Sequence, residues 1–141
     1  MTELENIRKK RKKDTAEDFT PEWVVNLMLD MISLNEWKDP SQTFLDNSAG
    51  DGNFLVITLR RKLSYGHDPI QALSTIYGVE LMADNVEEMK QRLLDTLPEL
   101  NDNQKQQAID IINYNIVCHD ALTWDYENWK APANLKPKAL F

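Results

Sequence analysis

The spacing of apolar residues predicts helices that alternate with short strands. After Thr20-Pro21, a capping residue followed by a proline, apolar positions recur at helical spacing as far as Leu34, which predicts an amphipathic helix. Short runs rich in apolar and β-branched residues predict three strands, at 43–45, 75–79 and 115–118. Helical patterns fill the intervals between them, at 54–63, 70–74, 84–94 and 104–113.

This order of elements favours an α/β fold. Parallel strands need a crossover connection, which is usually a helix, so strands that alternate with helices are typical of a parallel sheet. We therefore expect a mostly parallel sheet of about three strands with flanking helices, which is a truncated form of a Rossmann-like architecture.

Composition is that of a globular protein of one domain. Hydrophobic residues make up 42% of the 141 positions and charged residues 28%. Cys118 is the only cysteine, which excludes a disulfide framework, fits a reducing cytoplasmic compartment and predicts a buried core thiol. No apolar run is long enough to cross a membrane, and no secretory signal pattern follows the basic start, so we expect no membrane association. The two histidines are not spaced with the cysteine as zinc ligands are, so we expect no metal site.

Charge is unevenly distributed and suggests three parts: a flexible basic arm (1–14), a folded domain (15–126) and a C-terminal tail (127–141). All six residues at 8–13 are basic, whereas the 128 residues after them hold 10 basic and 21 acidic side chains, a net charge of −11. Affinity for DNA comes mainly from neutralised phosphates. DNA is therefore a weak candidate partner for the body, and the arm could either reach nucleic acid or be simply solvated.

Each predicted strand is followed by an acidic residue: Asp46, Glu80 and Asp120. Ligands of open parallel sheets bind beyond the carboxyl ends of the strands. A single acid there often only caps a loop, but three in order indicate a binding site.

The loop after the first strand strengthens this prediction. Ser48-Ala49-Gly50-Asp51-Gly52-Asn53 contains two of the four glycines of the chain, and glycine allows close approach of the backbone to a ligand. The loop matches neither the dinucleotide-binding fingerprint nor the phosphate-binding loop. Because its acidic side chains would repel phosphates, we expect a nucleoside ligand without them.

Four segments resemble, in order, motifs X, I, II and III of S-adenosylmethionine-dependent DNA adenine-N6 methyltransferases, in particular the group that serves type I restriction systems. They are Phe19–Val25, Asp46–Leu55, Tyr77–Leu81 and Asn115–Leu122. The resemblance covers about residues 17–126 and implies a methyltransferase-like Rossmann fold that binds S-adenosylmethionine. Asn47 stands where the family usually has proline.

The resemblance also implies roles for single residues. Thr20 and Pro21 would approach the methionine carboxylate, and Asp46 with the glycine loop would surround the methionine amino group and the sulfonium. Glu80 would bind the ribose and Asp120 the adenine. The full implied set is Phe19, Thr20, Pro21, Asp46, Ser48, Ala49, Gly50, Gly52, Asn53, Glu80, Leu81, Asp120 and Ala121.

One family motif has no counterpart in the chain. Motif IV, an Asp/Asn/Ser-Pro-Pro-aromatic sequence, holds the flipped adenine for methyl transfer, but the chain contains no Pro-Pro pair. We therefore predict no catalytic residue and a cofactor-binding protein that is incomplete for catalysis alone. The alternatives are an active methyltransferase completed by a partner chain or a second copy, and a non-catalytic binder or inhibitor of a restriction–modification complex. Such a small protein would suit a phage or mobile element.

Without a fourth strand, the first strand would be an exposed apolar edge. Exposed edges invite pairing with another chain. We therefore predict that the C-terminal tail, a second copy in a homodimer or another protein covers it. Most of the tryptophans, Trp23, Trp37, Trp124 and Trp129, are expected in the core.

Overall fold

The computed structural model describes residues 2–7, 9 and 20–129. Between 20 and 129 the elements are α1 (Glu22–Leu29), α2 (Leu34–Lys38), β1 (Phe44–Asp46), α3 (Asn53–Ser64), α4 (Pro69–Ser74), β2 (Ile76–Glu80), α5 (Ala83–Thr96), α6 (Asp102–Asn115) and β3 (Ile116–Cys118). Residues 3–7 of the predicted arm are also helical. Three predicted features lie outside the described residues: the basic run except for Lys9, the site residue Phe19, and positions 130–141 of the predicted tail.

The three strands form an open, all-parallel sheet in the order β1-β2-β3. Phe44 of β1 pairs with Ile76, and Gly78 of β2 pairs with Ile116 of β3. Two helices connect each pair of successive strands, as parallel pairing requires. The predicted mixed α/β, Rossmann-like architecture with three parallel strands and flanking helices is thereby confirmed.

Helices α3 to α6 cover one face of the sheet and form the main core. Leu55, Met89 and Ile112 from three of these helices pack with strand residues such as Ile116. Gly78 faces the same core, where an added Cβ would lie 2.8 Å from Leu55 Cδ1. The missing side chain at this position therefore lets α3 approach the central strand.

The opposite face of β2 meets the segment that follows β3. The rings of Tyr77 and Trp129 form an edge-on contact with centroids 4.9 Å apart, and Val79 belongs to the same cluster. Trp129 Nε1 donates to the carbonyl of Tyr114 at 3.1 Å. Trp129, which belongs to the predicted tail, thus lies against the sheet.

Helices α1 and α2 pack beside α3 and differ from the prediction. The helix expected to reach Leu34 ends at Leu29, and α2 begins after Ser33, whose side chain accepts a hydrogen bond from the N–H of Glu36 in a capping box. Apolar spacing did not reveal this break, because Ile32 and Leu34 continue the helical pattern. Local capping chemistry sets the position of this break between α1 and α2.

The prediction of a buried Cys118 was wrong. The residue is exposed because it ends β3, an edge strand of the described sheet, and its Sγ donates to the carbonyl of Leu81 at 3.4 Å. Within the described part of the chain, no helix is both long enough and apolar enough to cross a membrane.

Candidate functional site

The carboxyl ends of the three strands meet at one edge of the sheet. The N–H of Ala49 donates to the carbonyl of Val79 at 3.1 Å, which ties the loop after β1 to β2. The N–H of His119 donates to the carbonyl of Glu80 at 3.0 Å, which ties the end of β3 to β2. Parallel order therefore brings the three predicted segments to the same edge.

Glu80 connects the glycine loop to the start of α5. Its Oε1 accepts from the N–H of Gly50 at 3.1 Å, and its Oε2 accepts from the N–H of Met82 at 2.8 Å and from Asn85 Nδ2 at 3.2 Å. Two backbone donors and one buried amide thus hold this carboxylate in place, so its position in the site is fixed by the protein itself.

The glycine loop has a backbone that other residues rarely adopt. Gly50 has φ 55° and Gly52 has φ 93°, both in the left-handed region. Gly52 also caps α3, and an added Cβ would lie 2.7 Å from Met89 Cγ. Conformation and packing both require glycine at position 52.

Arg92 and Asn53 hold the other side of the loop. Arg92 Nη1 donates to the Asp51 carbonyl at 3.1 Å and to Asn53 Oδ1 at 2.8 Å, and it forms an ion pair with Asp51 Oδ1 at 3.4 Å. Asn53 Nδ2 donates to the carbonyl of Thr20 at 2.9 Å. The segment before α1, which is distant in sequence, is therefore joined directly to the loop.

A cavity of about 300 Å³ opens beside this loop at the carboxyl end of β1. Its lining residues are Thr20, Met28, Leu45, Asp46, Ser48, Ala49, Gly50, Asp51, Asn53 and Phe54. One part of the wall is acidic and polar, and Met28, Leu45 and Phe54 supply the apolar part. The volume lies at the lower end of the range of small-molecule sites, roughly 300–1,000 Å³.

Some predicted site residues line this cavity and others lie elsewhere. Thr20, Asp46, Ser48, Ala49, Gly50 and Asn53 line it, and Glu80 is bonded to its rim through Gly50. Pro21, Gly52, Leu81, Asp120 and Ala121 are not among the lining residues. Phe19 lies outside the described part of the chain.

Asp120 has the conformation of a loop-capping acid. It is exposed, and its Oδ1 accepts from the N–H of Leu122 at 2.9 Å. The next carbonyl, that of Ala121, accepts from the hydroxyl of Tyr126 at 2.8 Å. These two hydrogen bonds hold the loop after β3 in its conformation.

Asp46 lies in surroundings that disfavour its charge. Burial raises the pKa of this carboxyl above its ordinary value, and the nearby Glu80 raises it further, while the hydrogen bond from the Ser48 N–H opposes both effects. That hydrogen bond measures 3.0 Å. A cation beside Asp46 would offset the cost of its ionisation.

The sequence did not reveal the apolar wall of the cavity, because apolar residues at helical spacing are expected in the core. Two signals could have found it. Leu45 alternates with Phe44 and Asp46 along the strand and so points to the opposite face. Met28 directly precedes the buried Leu29 in α1, so the two side chains point to different sides of the helix.

The arrangement suits a ligand that combines a cationic group with an apolar or aromatic part. Within residues 2–7, 9 and 20–129, no group of three or more His, Cys, Asp or Glu side chains could hold a metal ion. No protein-family model, curated protein or solved structure matches the chain.

Proposed function

We propose that this protein binds S-adenosylmethionine at the carboxyl end of β1 and is related to DNA adenine-N6 methyltransferases. The observation that supports this most directly is the partly buried Asp46, whose pKa is raised, on the wall of a cavity with a mixed acidic and apolar lining. Sulfonium and ammonium groups are cations that such a carboxylate would favour. A ligand that carries phosphate groups would be repelled by the acidic side chains of Asp46 and Asp51.

In this proposal the residues of the cavity hold the methionine part of the cofactor. Asp46 faces the cationic groups, Thr20 and the loop 48–50 supply polar contacts, and Met28 and Phe54 exclude water from the apolar atoms. The ribose and adenine would extend towards Glu80, Leu81, Asp120 and Ala121. When bound, the cofactor supplies an activated methyl group.

The proposal concerns binding and not methyl transfer, because the Pro-Pro-aromatic motif that holds the target base in the family is not among these 141 residues. Completion by a partner chain or a second copy would make the assembly an active methyltransferase. Action on a restriction–modification complex would require binding alone.

Calorimetric titration of the full chain with S-adenosylmethionine and S-adenosylhomocysteine tests the proposal. We expect saturable binding with one site per chain, weakened about tenfold or more by Asp46→Asn, since a charge-assisted contact contributes about 1.5–3 kcal/mol. Glu99→Gln removes an exposed acid between α5 and α6 and should bind as wild type does. Absence of binding, or equal affinity in the Asp46→Asn variant, would contradict the proposed site.

A methyl-transfer assay on unmethylated DNA distinguishes an active methyltransferase from a protein that only binds the cofactor. Transfer of a tritiated methyl group by the chain, alone or with a partner, would establish the enzyme. Binding of the cofactor without transfer under the same conditions would favour the non-catalytic role.

A further inference from the structure

Two acidic side chains line the cavity, Asp46 and Asp51, and their surroundings differ. Asp51 forms an ion pair with Arg92 at 3.4 Å. Within residues 2–7, 9 and 20–129, no ion pair joins Asp46 to a basic side chain. The pKa of Asp46 responds to burial, to the Ser48 N–H and to Glu80, and no cation acts on it. The cavity therefore has one acid whose charge is offset and one whose charge is not.

The pair of Asp51 and Arg92 is partly buried. The side chain of Asp51 is 17% exposed and that of Arg92 is 29% exposed. Water and salt screen such a pair less than one on the open surface. The backbone N–H of Asn53 also donates to Asp51 Oδ1, at 3.3 Å. The carboxylate is therefore held in place on the cavity wall, while Arg92 itself is not among the lining residues.

Arg92 also fixes the geometry of the cavity wall. The same nitrogen, Nη1, donates to the Asp51 carbonyl at 3.1 Å and to Asn53 Oδ1 at 2.8 Å. Because Asn53 Oδ1 accepts from Arg92, the other end of this amide, Nδ2, faces the carbonyl of Thr20 and donates to it at 2.9 Å. One guanidinium group thus acts on both the glycine loop and the segment before α1.

We propose that Arg92 is a positioning residue that sets the charge preference of the cavity. It offsets the charge of Asp51, so that Asp46 is the lining carboxylate left to attract a cationic group. Arg92 lies on α5, outside the four segments that resemble the family motifs, and the resemblance therefore implies no role for it. The charge preference rests on the proposed function, because it is expressed between two forms of the cofactor. S-adenosylmethionine carries a positive sulfonium where S-adenosylhomocysteine has a neutral thioether.

Calorimetric titration of the full chain with both compounds tests the proposal through the ratio of their two dissociation constants. Arg92→Met leaves Asp51 without its cation, so the preference for S-adenosylmethionine over S-adenosylhomocysteine should rise about threefold or more. Asp51→Asn leaves Arg92 without its anion and should lower the preference by a similar factor. The double variant with both substitutions should return close to the wild-type ratio.

The opposite shifts separate a charge effect from simple damage to the loop, which would weaken the binding of both compounds alike. Lys105→Met is the matched control, because it removes an exposed positive charge on α6, which contributes no lining residue. Its ratio should equal that of wild type. Unchanged ratios in both single variants, or shifts in the same direction, would overturn the assignment of the charge preference to Arg92.

Hydrogen exchange of the ligand-free chain tests the positioning role without the cofactor. Arg92→Met should speed amide exchange within residues 50–53 about tenfold or more, because charge-assisted hydrogen bonds to the loop are lost. Lys105→Met should leave this exchange unchanged. A wild type that binds neither compound would contradict the proposed function and the charge preference. Unchanged exchange in Arg92→Met would overturn the positioning role whether or not the cofactor binds.

Discussion

Asp46 links the electrostatics of the site to its expected ligand. Its pKa is raised by burial and by Glu80, so protonation begins at a higher pH than for an ordinary carboxyl. A cationic ligand binds the ionised form, and affinity should therefore fall as the pH is lowered from neutral towards about 4, near the ordinary carboxyl pKa.

Dissociation constants for S-adenosylmethionine measured over this pH range check the prediction. Wild type should lose affinity in acid, whereas Asp46→Asn should bind more weakly at neutral pH and show a flatter profile. Parallel profiles for the two proteins would assign the pH dependence to another group.

Lys62 is a buried cation outside the site. Its Nζ donates to the Gln42 carbonyl at 2.6 Å and to Thr75 Oγ1 at 2.7 Å, and it lies 4.9 Å from the centre of the Phe44 ring. Burial lowers the pKa of this lysine to about 8, against the opposing attraction of Asp39. The residue thus joins α3 to the amino ends of β1 and β2 at an electrostatic cost.

The lowered pKa of Lys62 predicts that stability rises with pH. In the unfolded chain the lysine retains its proton up to about its ordinary pKa of 10.5, whereas in the folded chain it releases the proton from a pKa of about 8. The unfolded state therefore binds more protons in this interval, and the free energy of unfolding should increase by about 2 kcal/mol between pH 7 and 9.5 from this group.

Urea unfolding at several pH values measures this increase, and Lys62→Met should abolish it. The comparison stays below pH 10. Burial raises the pKa values of Tyr77 and Tyr114 in the folded chain, so at higher pH these tyrosines ionise more readily in the unfolded chain and the free energy of unfolding falls. Equal slopes for the two proteins would show that Lys62 does not titrate in this interval.

At the scale of elements, the glycine loop packs directly against α5 at Gly52 and Met89. Gly52→Ala forces a non-glycine residue to φ 93° and brings Cβ to 2.7 Å from Met89 Cγ. We expect a loss of about 3 kcal/mol or more in the free energy of unfolding, from backbone strain and overpacking together.

Gly66→Ala provides the matched control for this prediction. Gly66 has φ 83° but no atom within 4 Å of an added Cβ, so only the backbone strain applies, about 1 kcal/mol. Chemical denaturation of both variants gives the difference. Equal losses would mean that Met89 moves aside without cost.

The elements differ in how well the sequence predicts them. Apolar spacing predicts α6 over 104–113, and the structure extends it by two residues at each end, to Asp102–Asn115, with a capping box of Asn101 and Gln104 that sets its start. The helix predicted to start at position 84 starts at Ala83 instead, with Asp84 within its first turn. A short polar segment offers several such starts, and packing of the whole helix selects among them.

At the scale of the molecule, ligand binding should stabilise one part of the fold most. A ligand at one hundred times its dissociation constant adds about 2.7 kcal/mol to stability. Hydrogen exchange should therefore slow most in residues 46–53, which include the loop that lines the cavity, and less in α6, which contributes no lining residue. Uniform protection of both regions would argue against a site at the end of β1.

The amino-acid sequence by itself determined the order of helices and strands, the parallel sheet and the segments that meet at its carboxyl edge. These depend on apolar spacing and on local signals such as glycine and capping residues, which act over a few positions. Only the tertiary structure decided that Arg92 and Thr20 hold the glycine loop, that Leu45 and Met28 form the apolar wall, and that one side of α1 stays exposed. Those contacts join residues that are distant in the chain, and the folded backbone alone sets which of them meet.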